Sequence, residues 1–166
     1  MIFKKAITHE GERYDLHHVD TDNFDEILDE LKIKAHAVCI HDRKMLIVNH
    51  PEWDIWSIPG GTREKGESIE ETLKREVLEE TNSQVMDYRP IAYQKIISPD
   101  GSKHHYRLQY LSNVLPLHGD IVGSVHKIAW IEPKYFEEYI ENKEFKKMII
   151  RRAIEIIKNH ENRKEL

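Results

Sequence analysis

Residues 60–85 read GGTREKGESIEETLKREVLEETNSQV and place seven glutamates in twenty-six residues. Three of them, Glu76, Glu79 and Glu80, stand at helical spacing. Like charges at i,i+3 and i,i+4 destabilise a helix by roughly 0.2–0.5 kcal/mol per pair, so this stacking asks for a compensating use. Ser68 followed by Glu71 forms a capping box and starts a helix directly after Glu67. Ile69, Leu73 and Val77 recur every fourth residue and give that helix an apolar stripe. At about 100° per residue, Glu80 lies about 40° to one side of Glu76 and Glu79 about 60° to the other. The three carboxylates share a face beside the stripe. Asn82, which tolerates the left-handed conformation, is the predicted stop.

A solvated glutamate-rich face is the ordinary explanation of such a pattern, and two features argue against it here. The helix has few basic side chains, and Arg75 and Lys74 do not neutralise the cluster. The loop PGGTREKGE ahead of it brings flexible backbone carbonyls and Glu67 towards the same face. Hard oxygen donors next to a glycine-rich loop suit Mg²⁺ or Mn²⁺, with phosphate oxygens completing the shell.

The stretch resembles the Nudix box, G-x5-E-x7-R-E-U-x-E-E-x-G-U, where U is a bulky aliphatic residue. Gly61, Glu67, Arg75, Glu76, Val77, Glu79 and Glu80 fall in register, and WSIPG at 56–60 is similar to the family's usual entry. Asn82 and Ser83 depart from the closing glycine and aliphatic residue. Asn is the best non-glycine occupant of a positive-φ helix stop, and Val85 stands close enough to replace the lost apolar contact. The resemblance implies an α/β fold, a Nudix-type α/β/α sandwich with a mixed β-sheet. It implies divalent-metal-dependent hydrolysis of a pyrophosphate linkage in a nucleoside diphosphate derivative, with water attacking phosphorus. It assigns Glu76, Glu79, Glu80 and the Gly60 carbonyl as ligands of Mg²⁺ or Mn²⁺, with Glu67 in the shell or bound through water. Arg75 would hold a neighbouring glutamate, and Glu79 or Glu80 would be the general base.

Working outward, 166 residues bound the chain to a single predicted domain over 1–166. An N-terminal hairpin and short helix occupy 1–32, a core with the box at 61–83 occupies 33–132, and a helical segment fills 133–166. The hairpin turns near Glu10-Gly11, and TDNFDEILDEL is expected to form the helix. IKAHAVCIHD and KMLIVNH form a second hairpin around Asp42-Arg43. IAYQKIIS and HYRLQYLSNVLP are strands joined by the turn chemistry of Ser98-Pro99-Asp100-Gly101. KIAWIE is a last strand, Pro133 suits a first helical position, and apolar residues recur at helical spacing from Phe145 to Ile157. Connections too short for parallel crossovers predict a mixed sheet.

Twenty-five basic against thirty acidic residues give a net charge of −5, which argues against nucleic acid as the partner. No apolar run reaches membrane-spanning length, and the first residues lack a signal-peptide core. The single cysteine, Cys39, reads as a buried hydrophobe. A cytoplasmic protein is expected, with a small nucleotide-type substrate; the oligomeric state is left open, a homodimer being one option. Further candidates each carry an ordinary alternative. Asp120 is an accessory ligand or base, or a loop residue beside Gly119. Trp53, Tyr93 and Tyr106 stack a nucleobase, or pack in the core. Arg63 and Lys65 reach a terminal phosphate, or carry solvated loop charge. The basic, amphipathic C-terminal segment packs on the sheet, or meets an anionic membrane surface.

ADP-ribose and an oxidised purine triphosphate are the first substrate expectations. Pro99 matches a proline that some ADP-ribose hydrolases of the family carry downstream of the box, although a hairpin turn explains it fully and the match adds little. A nucleotide-sensing module without catalysis and an RNA 5′-end pyrophosphohydrolase are the competing functions.

Overall fold

A computed structural model describes residues 2–9, 11–50, 54–118, 127–140 and 144–164. Strands β1 (Ile2–His9) and β2 (Glu12–Asp20) form the N-terminal hairpin, with Gly11 at φ 82°. The helix expected over TDNFDEILDEL does not form; only a 3-10 turn at Asp29–Leu31 is present. Side chains in this segment bond to nearby backbone instead: Asp25 N–H donates to Asn23 Oδ1, and Thr21 Oγ1 donates to the Asn23 carbonyl. Short polar side chains compete with helix in this way, and Phe24 and Ile27 anchor the turn by burial.

Strands β3 (Lys32–His41) and β4 (Lys44–His50) pair with His41 opposite Lys44. Asp42 and Arg43 both have positive φ, 46° and 61°, which makes the two-residue turn a primed hairpin turn. Two short strands, β5 (Ile55–Ser57) and β6 (Gly60–Thr62), lead into helix α1 (Ile69–Thr81). Strand β7 (Ser83–Ile97) starts eight residues ahead of the predicted IAYQKIIS and pairs along β8 (His104–Pro116). The strand continues past Pro90 because the register shifts there, between Pro90 and Ala92. Strand β9 (Lys127–Ile131), α2 (Phe136–Tyr139) and α3 (Glu144–Lys164) complete the chain.

The sheet runs β1-β2-β7-β8-β3-β4-β5, with β6 on β3 and β9 on β4. Among the described residues only the β3–β8 pair is parallel, so the sheet is mixed as expected. Alternation along β3 assigns the two faces. Ala35, Ala37 and Cys39 pack under α1 with Ile69, Leu73 and Val77; Val38 and Ile40 pack under α3 with Ile149, Ile150 and Ala153. The result is an α/β/α sandwich, and α3 lies on the sheet, its Arg151 bonded to Glu137 and Glu144. No helix among the described residues is long and apolar enough to cross a membrane.

Candidate active site

Helix α1 is fixed at both ends by its own sequence. Ser68 accepts from Glu71 N–H at 3.1 Å while Glu71 accepts from Ser68 N–H at 2.7 Å, closing the capping box. At the other end Asn82 is left-handed at φ 49°, ψ 41°, and its N–H donates to the Leu78 carbonyl at 2.9 Å. Ser83 is fully buried, and Val85 joins the α1-side cluster as anticipated.

The carboxylates are not equivalent. Glu80 is 7% exposed, the Glu76 side chain 14% and the Glu79 side chain 49%. Glu80 accepts from Gly60 N–H at 2.9 Å, and burial, followed by the charges of Glu76 and Glu79, pushes its pKa up to about 7 against the pull of that hydrogen bond and of Lys146. Burial raises Glu76 as well. Glu67 moves the other way, down to about 2, chiefly through hydrogen bonds from Arg75 and from Glu64 N–H.

Arg75 ties the set together. Its Nε donates to Glu67 Oε1 at 2.6 Å and its Nη2 to the Thr62 carbonyl at 3.0 Å; Nη1 lies 3.1 Å from both Glu76 and Glu79. One guanidinium thus braces the loop and three acids, a fuller neutralisation than the sequence spacing suggested. Arg75 is held protonated still more firmly by these contacts, that to Glu67 first.

The two glycines of the loop have different tasks. At Gly60, φ is 137° and a Cβ would run into the Ala35 carbonyl and His36 Cα of β3, so backbone packing requires glycine. At Gly61 a Cβ would occupy the space of the Glu76 carboxylate. That space fits a donor group pressed against the backbone. Among the described residues no three carboxylates or imidazoles converge into a complete metal cage. The donor set of clustered carboxylates still fits Mg²⁺ or Mn²⁺, which commonly take one or two protein carboxylates and fill the shell with water and substrate phosphate.

The remaining candidates are placed as follows. Arg63 is committed to structure: it donates to the Glu67 carbonyl at 2.5 Å and to Asp29 at 2.7 and 2.8 Å, while Lys65 is exposed. Tyr93 and Tyr106 meet edge to face at 5.4 Å and pack, partly buried, on the α1-side cluster. Trp53, Gly119 and Asp120 lie outside the described residues. The Ser98–Lys103 turn, with Asp100 bonded to Ser98 and Ser102, accounts for Pro99 as hairpin chemistry. Sequence reading missed a polar row on the α3-facing side of the sheet, including Lys34, His36, Arg107 and Gln109; only the strand register reveals it. A separate cleft of about 1060 Å³ between the β3–β4 turn and the end of α3 contains none of the α1 carboxylates.

Comparison with known proteins agrees with this architecture. The model of the NUDIX domain matches residues 31–152. A NUDIX hydrolase from Nitrosomonas europaea superposes with a TM-score of 0.61 at 21% identity, over 72% of this chain and 85% of that one. The Bacillus subtilis pyrophosphohydrolase BsRppH gives 0.59 at 20%, covering 70% and 72%. The NUDIX domain of Shewanella oneidensis NrtR, crystallised with ADP ribose, gives 0.59 at 20%, covering 81% and 94%. No curated protein sequence matches the chain. With the box in register, the sandwich in place and the domain model spanning most of its length, this chain belongs to the Nudix family.

Proposed function

We propose that the protein hydrolyses a pyrophosphate linkage in a nucleoside diphosphate derivative, with Mg²⁺ or Mn²⁺ held by Glu76, Glu79, Glu80 and the Gly60 carbonyl. The observation that carries this reading is the single guanidinium of Arg75 bracing Glu67, Glu76 and Glu79 while Glu80 is pinned separately to Gly60. Carboxylates held close to their working places limit the reorganisation needed when ions and phosphate arrive. The bound ions would neutralise developing phosphate charge and lower the pKa of the attacking water. Glu80, pinned to Gly60 N–H at the buried end of the cluster, is the carboxylate taken as the acceptor of that water's proton. Glu79 stands nearer solvent with Arg75 on its carboxylate and serves as ligand. Asp120, outside the described residues, is kept as a candidate accessory acid.

ADP-ribose and an oxidised purine triphosphate remain the first substrates to try, in a screen of nucleoside triphosphates, nucleotide sugars and dinucleoside polyphosphates with each metal, scored by kcat/KM. Glu79→Gln keeps helix propensity while removing a charge, and it is expected to abolish turnover with the fold intact by circular dichroism. Wild-type turnover in that folded variant would overturn the assignment.

A further inference from the structure

The parallel register of β3 and β8 sets Lys34 opposite Arg107, with Gln94 of β7 next in line. Directly opposed residues share a face of the sheet, and His36 and Val38 mark this face as the one under α3. Both cations are half-buried. Among the described residues neither has a carboxylate within ion-pair distance, and Arg107 Nε is buried without a hydrogen-bond partner. Burial lowers the pKa of each, and Arg107 lowers that of Lys34 further.

An opposed pair of like charges costs stability in a sheet, and a buried charge without a counter-charge costs more. A fold retains such a pair where a ligand supplies the missing charge. The neighbouring polar atoms tell the same story. Gln109 is 2% exposed with Oε1 unpartnered, and His36 Nδ1 and His105 Nε2 are likewise buried without partners. These atoms lie in adjacent rows of one sheet face and amount to a floor awaiting a polar ligand. The floor adjoins the carboxylates: His36 is paired with Gly60, and the Glu76 charge acts on Lys34.

We propose that Lys34 and Arg107 form a seat for a phosphate group of the substrate beyond the pair engaged at the α1 carboxylates. The proposal rests on the hydrolase reading above and narrows it. A guanidinium offers a phosphate two parallel donors, and the ammonium beside it adds a point charge. His36, Gln109 and His105 then receive uncharged polar groups such as sugar hydroxyls. The seat favours a substrate with a third phosphate in its chain, or with a phosphate on the attached sugar, over one whose only phosphates are the scissile two.

The test is isothermal titration of metal-free protein with inorganic tripolyphosphate, ribose 5-phosphate and ribose. Wild type is expected to bind the phosphates and not ribose; Lys34→Gln and Arg107→Gln should each weaken phosphate binding about tenfold, and Arg107→Lys, which keeps the charge and loses the second donor, should fall between wild type and Arg107→Gln. Tighter binding of tripolyphosphate points to the chain phosphate, and tighter binding of ribose 5-phosphate to the sugar phosphate. Equal binding in wild type and Lys34→Gln overturns the seat, as does no binding in wild type; Lys34→Gln decides the matter if Arg107→Gln does not fold. The two readings fail separately. Turnover abolished by Glu79→Gln with kcat/KM untouched by Lys34→Gln removes the seat alone. Phosphate binding lost in Lys34→Gln, with no nucleotide hydrolysed by wild type, removes the hydrolase reading alone.

Discussion

Arg75 and Glu67 lie eight residues apart and are joined by two hydrogen bonds, Nε to Oε1 at 2.6 Å and Nη2 to Oε2 at 3.1 Å. The planar fork makes this pairing possible while Nη1 faces Glu76 and Glu79. An ammonium has no second edge to offer. Arg75→Lys is therefore expected to keep the net charge and the fold but lower metal affinity or kcat about 10–100-fold, the usual consequence of losing a group that orients metal ligands. Manganese titration and steady-state kinetics of the variant would check it; wild-type values in both would show that charge alone suffices.

Glu80 predicts a pH dependence of stability in the metal-free protein. Its pKa rises from 4.5 to about 7 on folding, so the folded state favours the protonated carboxyl. The stability it contributes is fully present below the unfolded value and is lost as pH rises through about 7. The shift corresponds to on the order of 3 kcal/mol at most. Glu80→Gln keeps an acceptor for Gly60 N–H and removes the titration. Urea melts in EDTA at pH 5 and pH 8 should show wild type losing stability across that window relative to the variant. A constant difference between the two proteins would refute the assignment.

The same group governs metal uptake. A ligand must be ionised to bind, so below about pH 7 the proton on Glu80 competes with the ion. Manganese affinity is expected to fall about tenfold per pH unit once the pH is well below that value, and binding near neutrality should release a proton. Calorimetry in buffers of different ionisation enthalpy measures that proton directly. A flat affinity between pH 5.5 and 7.5 would mean that Glu80 is no ligand.

How far these features could be read from the sequence depended on whether they are local. The α1 helix, its capping box and its stop rest on residues within one segment, and all three stand as the spacing predicts. The hairpin at Asp42-Arg43 is local as well. The failed helix at 21–31 was a contest between weak helical periodicity and side chains that bond to their own backbone, and the latter prevailed. Tyr93 and Tyr106 looked available for stacking because aromatic residues carry no label for the face they occupy. Only the β7–β8 register turns them to the α1 side and Arg107 to the other. Lys34 and Arg107 are seventy-three positions apart and meet through the parallel β3–β8 pairing, which no local pattern announces.

Asn82 gives a stability test of the helix stop. Its φ of 49° is a left-handed position, and its side chain donates from Nδ2 to the Leu117 carbonyl at 3.3 Å. Asn82→Gly should be nearly neutral, whereas Asn82→Val should cost about 1–2 kcal/mol through the steric clash of a β-branched side chain at positive φ. Urea melts would decide it. A valine variant as stable as wild type would mean that the helix end rearranges freely.

Gly60 and Gly61 are adjacent, yet alanine should affect them in opposite ways. At Gly60 the new Cβ meets backbone on β3, which cannot move aside without breaking the pairing with His36, and φ is 137°. Gly60→Ala should destabilise the fold by roughly 1–3 kcal/mol or more. At Gly61 the obstacle is the far end of the flexible Glu76 side chain, which can swing away. Gly61→Ala should therefore melt close to wild type while displacing a carboxylate from the site, with metal affinity or kcat down about 10–100-fold. The two variants separate backbone packing from ligand placement within one dipeptide. If Gly61→Ala loses stability and keeps its metal affinity, Glu76 is a scaffold residue and the site must be redrawn around Glu79 and Glu80.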